Sequence, residues 1–256
     1  MTEPTPKSRL PRTVTLLLIA AVLLISVGAL MVWWPYHRNQ TAMAEVEELG
    51  GRTKTRIVRP FWIPDAIDDE YLWLFRRVNV VRLSDTQVVD ADFEHLQGLT
   101  TLEYLSFNNT QVSDAGLKHL RGLTNLRLLF LYNTQVSDVG LEHLRGMTNL
   151  RYLALNDTQV SDAGLEHLPG LSTLEYLSFN NTKVSDAGLE NLQGLTKLRN
   201  LMLNDTQTSD TGLGYLRGMT NLQRLHLTDT QVTKTGVEKL QKALPDCKIS
   251  WTPPST

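Results

Sequence analysis

From Val78 onward the chain repeats itself every 24 residues, and no other feature restricts its fold so tightly. Seven units begin at Val78, Leu102, Leu126, Leu150, Leu174, Leu198 and Leu222, and they share the pattern LxxLxLxxTxVSDAGLxxLxGLTx. A final apolar stretch, CKISW at Cys247–Trp251, has the look of one more strand. Within LEYLSFNNT (Leu102–Thr110), Leu102, Leu105 and Phe107 alternate with Tyr104, Ser106 and Asn108. That period of two predicts a short strand with one buried face. VSDAGLKHLRG follows. Ser113 suits an N-cap, Asp114 the positive end of a helix dipole, and Leu117 and Leu120 one helical face, while Gly122 ends the helix. A unit this small cannot bury its own apolar face, but stacked copies can. Parallel strands pair at about 4.8 Å and need less room than the helices behind them. The expectation is a curved α/β solenoid, a horseshoe with a concave parallel sheet and short convex helices.

The phrase TQVSDAGLxHLxGLTNL carries a family resemblance across Val78 to about Trp251. The unit resembles the leucine-rich repeat, in the 24-residue variety found in planctomycete bacterial proteins. The resemblance implies the horseshoe fold and binding of another macromolecule; it implies no reaction. Thr stands at the ninth position of every unit (Thr86, Thr110, Thr134, Thr158, Thr182, Thr206, Thr230), where many such repeats have Asn. A buried Thr hydroxyl can still bond backbone at the turn, with fewer bonds than Asn.

LEYLSFNNT recurs unchanged at Leu174–Thr182, 72 residues after its first copy. The match extends over GLTTLEYLSFNNTQVSDAGL and GLSTLEYLSFNNTKVSDAGL, which indicates duplication of a three-unit block. The positions that differ between the blocks are therefore the informative ones: Leu128, Phe130 and Tyr132 against Asn200, Met202 and Asn204.

Ahead of the repeats, Val14–Trp34 carries no charge over 21 residues. As a helix it would span roughly 30 Å, the thickness of a bilayer's hydrocarbon. Lys7, Arg9 and Arg12 precede it, Trp33, Trp34 and Tyr36 stand at its end, and Glu45, Glu47 and Glu48 follow. That charge bias predicts a single-pass anchor with a cytoplasmic N-terminus and an extracytoplasmic repeat domain. A cleaved signal peptide fits less well, because the run exceeds a signal core and the small-residue site at Ala42–Ala44 lies far beyond it. The expected organisation is then 1–13 cytoplasmic, 14–34 transmembrane, 35–63 stalk, 64–77 N-terminal cap helix, 78–251 repeat domain and 252–256 tail.

Net charge is −2, which offers no basic face for nucleic acid. No hydrolase, zinc-protease or phosphate-loop motif is present, so no enzyme activity and no cofactor are expected. His95, His119, His143 and His167 form a column at one helical position. A metal would need a mixed tetrahedral ligand set, and none is visible, so the column reads as a solvated convex face. The single cysteine, Cys247, reads as core, and Asn39, Asn108 and Asn180 match N-x-[ST] by accident. On the concave face Tyr104, Leu128, Phe130, Tyr132, Tyr152 and Tyr176 form an aromatic patch with the composition of an interface centre. The alternative is that these rings simply pack across strands. The functional expectation is a membrane-tethered module whose concave sheet holds a protein or envelope polymer. A structural envelope protein without a discrete ligand is the alternative, and an F-box-like substrate adaptor is a further one by family analogy.

Overall fold

The computed structural model describes residues 12–253, with side chains from residue 26 onward. Among the described residues nine strands form one sheet in chain order. The first, β1 (Arg52–Ile57), runs antiparallel to β2 (Arg76–Arg82), with a register shift between Lys54 and Thr55. From β2 onward every pairing is parallel: β3 (Tyr104–Ser106), β4 (Leu128–Phe130), β5 (Tyr152–Ala154), β6 (Tyr176–Ser178), β7 (Asn200–Met202), β8 (Arg224–Leu227) and β9 (Lys248–Trp251). The register steps by 24, so Leu105, Leu129, Leu153, Leu177, Leu201 and Leu225 share one fully buried row. Each strand returns through a short helix: α2 (Asp114–Leu117), α3 (Asp138–Glu142), α4 (Asp162–Leu165), α5 (Asp186–Leu189), α6 (Asp210–Leu216) and α7 (Lys234–Ala243). In the first unit a 3-10 helix, Asp90–Leu96, takes that place. Between the strands and these helices runs one continuous core of Leu, Val and Phe, including the stacked pair Phe93 and Phe107 at 4.4 Å. Each such side chain contributes about 1.5–3 kcal/mol by leaving water.

Each strand from β2 to β8 leaves through a left-handed residue: Asp85, Asn109, Asn133, Asp157, Asn181, Asp205 and Asp229 have φ between 51° and 61°. Asn and Asp tolerate that region because their short side chains can bond locally. Next to each stands the repeated Thr, whose hydroxyl donates to the carbonyl three residues back, as in Thr134 to Leu131 at 2.8 Å. The bond stays inside its own unit.

Beyond strand pairing and the shared core, the SDAG segment adds a polar link between units. Asp138 accepts from the backbone N–H of Ser161 at 2.7 Å and from its hydroxyl at 2.6 Å, one unit on. The same pair of bonds links Asp90 to Ser113, Asp114 to Ser137, Asp162 to Ser185, Asp186 to Ser209 and Asp210 to Thr233. From the second unit on, a glycine makes room for the incoming carboxylate: a Cβ at Gly164 would lie 2.6 Å from Asp138 Oδ1. So Asp114, expected to serve its own helix dipole, instead serves the next unit. The ends of the array obey the same rule. The first unit keeps Asp90 but has Val89 and Asp92 where later units have Ser and Gly, since no earlier carboxylate arrives. The last unit keeps Thr233 and Gly236 but has Lys234 in place of Asp, since no later unit receives it.

The N-terminal end differs from expectation. Residues 35–63 are not a stalk. A helix, α1 (Arg12–Glu48), continues through Pro35 and lays Ala42 and Val46 into the core. Asn39 ties it down: its side chain donates to the Pro35 carbonyl at 2.6 Å and accepts from Val78 N–H at 2.5 Å. Its burial and its two bonds also account for Asn39 without any modification. β1 then covers the open edge of β2, alternating exposed Arg52, Lys54 and Arg56 with half-buried Thr53, Thr55 and Ile57. Charged edge strands resist further pairing. Residues 64–77 hold a 3-10 turn, Asp69–Phe75, rather than a cap helix, and β2 already begins at Arg76. Capping is shared by α1, which brings Ala42 and Val46 to the core, and β1, which pairs with the open edge of β2. Among the described residues no helix is long and apolar enough to cross a membrane. The side chains of 14–25, more than half of the expected span, and the segment 1–11 lie outside the described residues.

Candidate functional site

The outward face of β3–β6 carries a row of rings. Tyr104 lies 5.1 Å from Phe130, Phe130 lies 4.7 Å from Tyr152, and Tyr152 stacks on Tyr176 at 3.8 Å and 5°. The register explains the spacing. Tyr104, Leu128, Tyr152 and Tyr176 are direct cross-strand neighbours, whereas Phe130 is paired with Ser106 and Ala154. Two small partners leave space on either side, and Phe130 leans into it to bridge the tyrosines. Ser106 and Ala154 are buried despite facing outward. Offset ring pairs of this kind contribute about 0.5–1.5 kcal/mol each beyond their burial.

Arg82 extends the row by one strand, its guanidinium 4.6 Å from the centre of the Tyr104 ring. Arg82 pairs with Ser106 in the register and seats its side chain on Tyr104. At the other side of the row burial and the Tyr176 contact push the Tyr152 phenol well above its usual range. Tyr152 is therefore a neutral hydrogen-bonding group at any physiological pH. Leu128 is half-buried between Tyr104 and Tyr152.

Tyr132 belongs to a different row. At its position other units carry Asn108, Asn156, Asn180 and Asn204, whose side-chain oxygens accept the backbone N–H of the next unit at 2.8–3.0 Å. This ladder also occupies Asn108 and Asn180 structurally. Tyr132 replaces the Asn with a ring that is 39% exposed, the highest exposure among the six patch residues. Thus five of the six predicted residues form one packed strip, and Tyr132 projects beside it. Packing across strands accounts for much of the strip; it does not account for Tyr132.

The remaining candidates have other roles. Arg121 donates to His143 Nδ1 at 2.7 Å and Arg145 to His167 Nδ1 at 2.6 Å, while Gln97 meets His119 Nδ1 at 2.5 Å. These three imidazoles thus answer the preceding unit rather than their neighbour in the column, and His95 lies 3.8 Å from the Glu45 carboxylate of α1. Burial, then the Arg121 charge, lowers the His143 pKa. Cys247 is buried in the core, and burial pushes its thiol up to about 11.

Two internalin structures from Listeria monocytogenes share the fold. An internalin (inlF) superposes with a TM-score of 0.58 at 24% identity, over 67% of this chain and 47% of that one. An internalin C2 (inlC2) superposes with a TM-score of 0.56 at 22% identity, over 87% and 96%. The chain thus spans about half the length of the first. At these identities the likeness carries the fold alone. No curated protein sequence matches. The profile of the leucine-rich repeat region family matches residues 58–254. That match begins just after β1 and covers all seven units and the final strand, and the chain belongs to this family.

Proposed function

We propose that this protein is a membrane-tethered binding module, with its N-terminus in the cytoplasm and its strand face presented outside to a protein or an envelope polymer. The observation that supports this most directly is the row Arg82–Tyr104–Phe130–Tyr152–Tyr176 with Tyr132 beside it. Aromatic and Arg side chains are the residues that dominate interface energetics, and here they are preordered, so little entropy is lost on contact. The second copy of the duplicated block presents Asn200, Met202 and Asn204 at the corresponding positions, which makes the recognition surface one-sided. The 24-residue units resemble the planctomycete variety, and the apolar run at 14–34 supports the tether.

The test is capture from native envelope extract by the full chain and by a Phe130→Ser, Tyr132→Ser variant. A partner held by the parent and lost by the variant, with thermal melting otherwise retained, is expected. The same partners captured by both proteins would refute the strip as the binding surface.

A further inference from the structure

The exposed apolar side chains are not spread over the molecule. Beyond Trp73 the described residues expose only three large ones, Val89, Tyr132 and Val139. The rest gather at one end: Val27, Leu30, Met31, Trp33 and Trp34 on α1, and Val58, Phe61, Trp62, Ile67, Tyr71 and Trp73 on the connection between β1 and β2. Phe61 is fully exposed, at 101%.

Contacts along α1 fix where this end lies. Val46 packs at the level of Leu83, since a Cβ on Gly51 would meet both. Asn39 bonds Val78 N–H, and the Tyr36 ring meets the Trp73 ring edge-on at 5.3 Å. Moving toward the start of α1, its partners step back along the chain from 83 to 78 to 73. The helix therefore runs beside β2 and emerges past the strand's beginning, and the β1–β2 connection flanks the point of emergence. Trp33 and Trp34 continue from there into the apolar run of the helix.

We infer that Trp33, Trp34, Tyr71, Trp73, Phe61 and Trp62 form one interfacial collar that seats the repeat domain directly on a lipid bilayer. Trp and Tyr favour the headgroup level because their rings join an apolar body to a polar edge. The collar rests on the tether reading and sharpens it: the domain has a fixed pose instead of hanging from a stalk. The strand beginnings, which parallel pairing places along one edge, face the lipid, and the left-handed turns at the strand ends face away. The charge around the collar is mixed. Arg38, Arg59 and Arg76 are offset by Asp65, Asp68, Asp69 and Glu70, and Arg59 pairs with Asp69 at 2.8 Å. The lipid partner is therefore a neutral, zwitterionic surface.

The test uses the full chain in phosphatidylcholine vesicles, in a Cys247→Ser background. An environment-sensitive fluorophore is attached at Phe61→Cys and, as a control, at the exposed convex position Val139→Cys. After an alkaline wash the chain should remain with the vesicles. The label at 61 should emit to the blue of the label at 139 and be quenched by headgroup-region nitroxide lipids, while the label at 139 is not. Chains that stay with the vesicles but show identical emission and quenching at both positions would overturn the collar and leave the tether standing. Chains that wash off would overturn both.

Discussion

Replacing Gly164 by Ala should destabilise the protein, although in a helix Ala is ordinarily the better residue by about 1 kcal/mol. Gly164 lies in α4, with the Asp138 carboxylate of the preceding unit against it. An added Cβ would sit 2.6 Å from Asp138 Oδ1 and 3.0 Å from Leu141 Cδ1. The carboxylate must move, and moving it breaks its bonds to Ser161 N–H and hydroxyl. Hydrogen bonds to a charged group contribute about 1.5–3 kcal/mol each. Both partners are half-buried, so water recovers part of that, leaving a loss of about 2–3 kcal/mol for the pair. Offset by the helix gain, the net cost is about 1–2 kcal/mol. For an array of this size that is a fall in Tm of about 2–8 °C. Circular dichroism melts of the full chain in detergent would read it. Gly146→Ala is the control, since a Cβ there meets nothing within 4 Å, and its Tm should hold within about 1–2 °C. Asp138→Ala should cost about 2–3 kcal/mol by itself, and adding Gly164→Ala to it should cost little more, because the clashing oxygen is gone. A Gly164→Ala protein that melts higher than the parent would refute the reasoning. So would an equal cost of that change with and without Asp138, since coupling is what a shared contact requires.

Three further outcomes are expected. Asn39→Ala leaves the Val78 N–H without its side-chain partner and should cost about 1–3 kcal/mol, seen as an earlier melt. The His143 pKa is lowered in the folded protein, so the unfolded chain binds more protons at mildly acidic pH. Its contribution is complete above the unfolded value of about 6.5 and is lost as pH falls through the folded value. A His143→Gln variant should show a flatter Tm-against-pH curve between about pH 5 and 7. With its thiol pushed up to about 11 and buried, Cys247 should stay unlabelled by maleimide at neutral pH until the protein is unfolded; rapid native-state labelling would contradict its place in the core.

The 24-residue period made the repeat domain legible because packing acts on the same positions in every unit. Leu102, Leu105 and Phe107 face inward and Tyr104 and Ser106 outward, as the alternation requires. The inter-unit role of Asp114 was hidden because a carboxylate after a Ser is also what a helix start prefers. Its signal lay at the ends of the array, where Val89, Asp92 and Lys234 break the pattern in opposite senses. The packing of residues 35–63 is hidden for a related reason. Glu45, Glu47 and Glu48 suggested solvent, but Ala42, Val46 and Leu49 continue an apolar stripe at helical spacing on the opposite face. RTKTRI has no apolar alternation until Ile57, so only pairing with β2 reveals it as a strand. The aromatic patch was read from composition, and its division into a packed strip and a projecting Tyr132 needed the register.

The carboxylate link between units also bears on how such a chain changes length. Each interior unit gives a carboxylate forward and receives one from behind, so interior units are interchangeable, while the first only gives and the last only receives. Excising residues 126–197 would set Asp114 against Ser209 and Gly212, the same pairing it makes now with Ser137 and Gly140. Whole units can therefore be gained or lost by recombination with both termini unedited, and the duplicated block beginning at Leu102 and Leu174 is what such an event leaves behind. Units added in the middle of the array find both halves of the carboxylate link, whereas units added at either end of it would find one half missing.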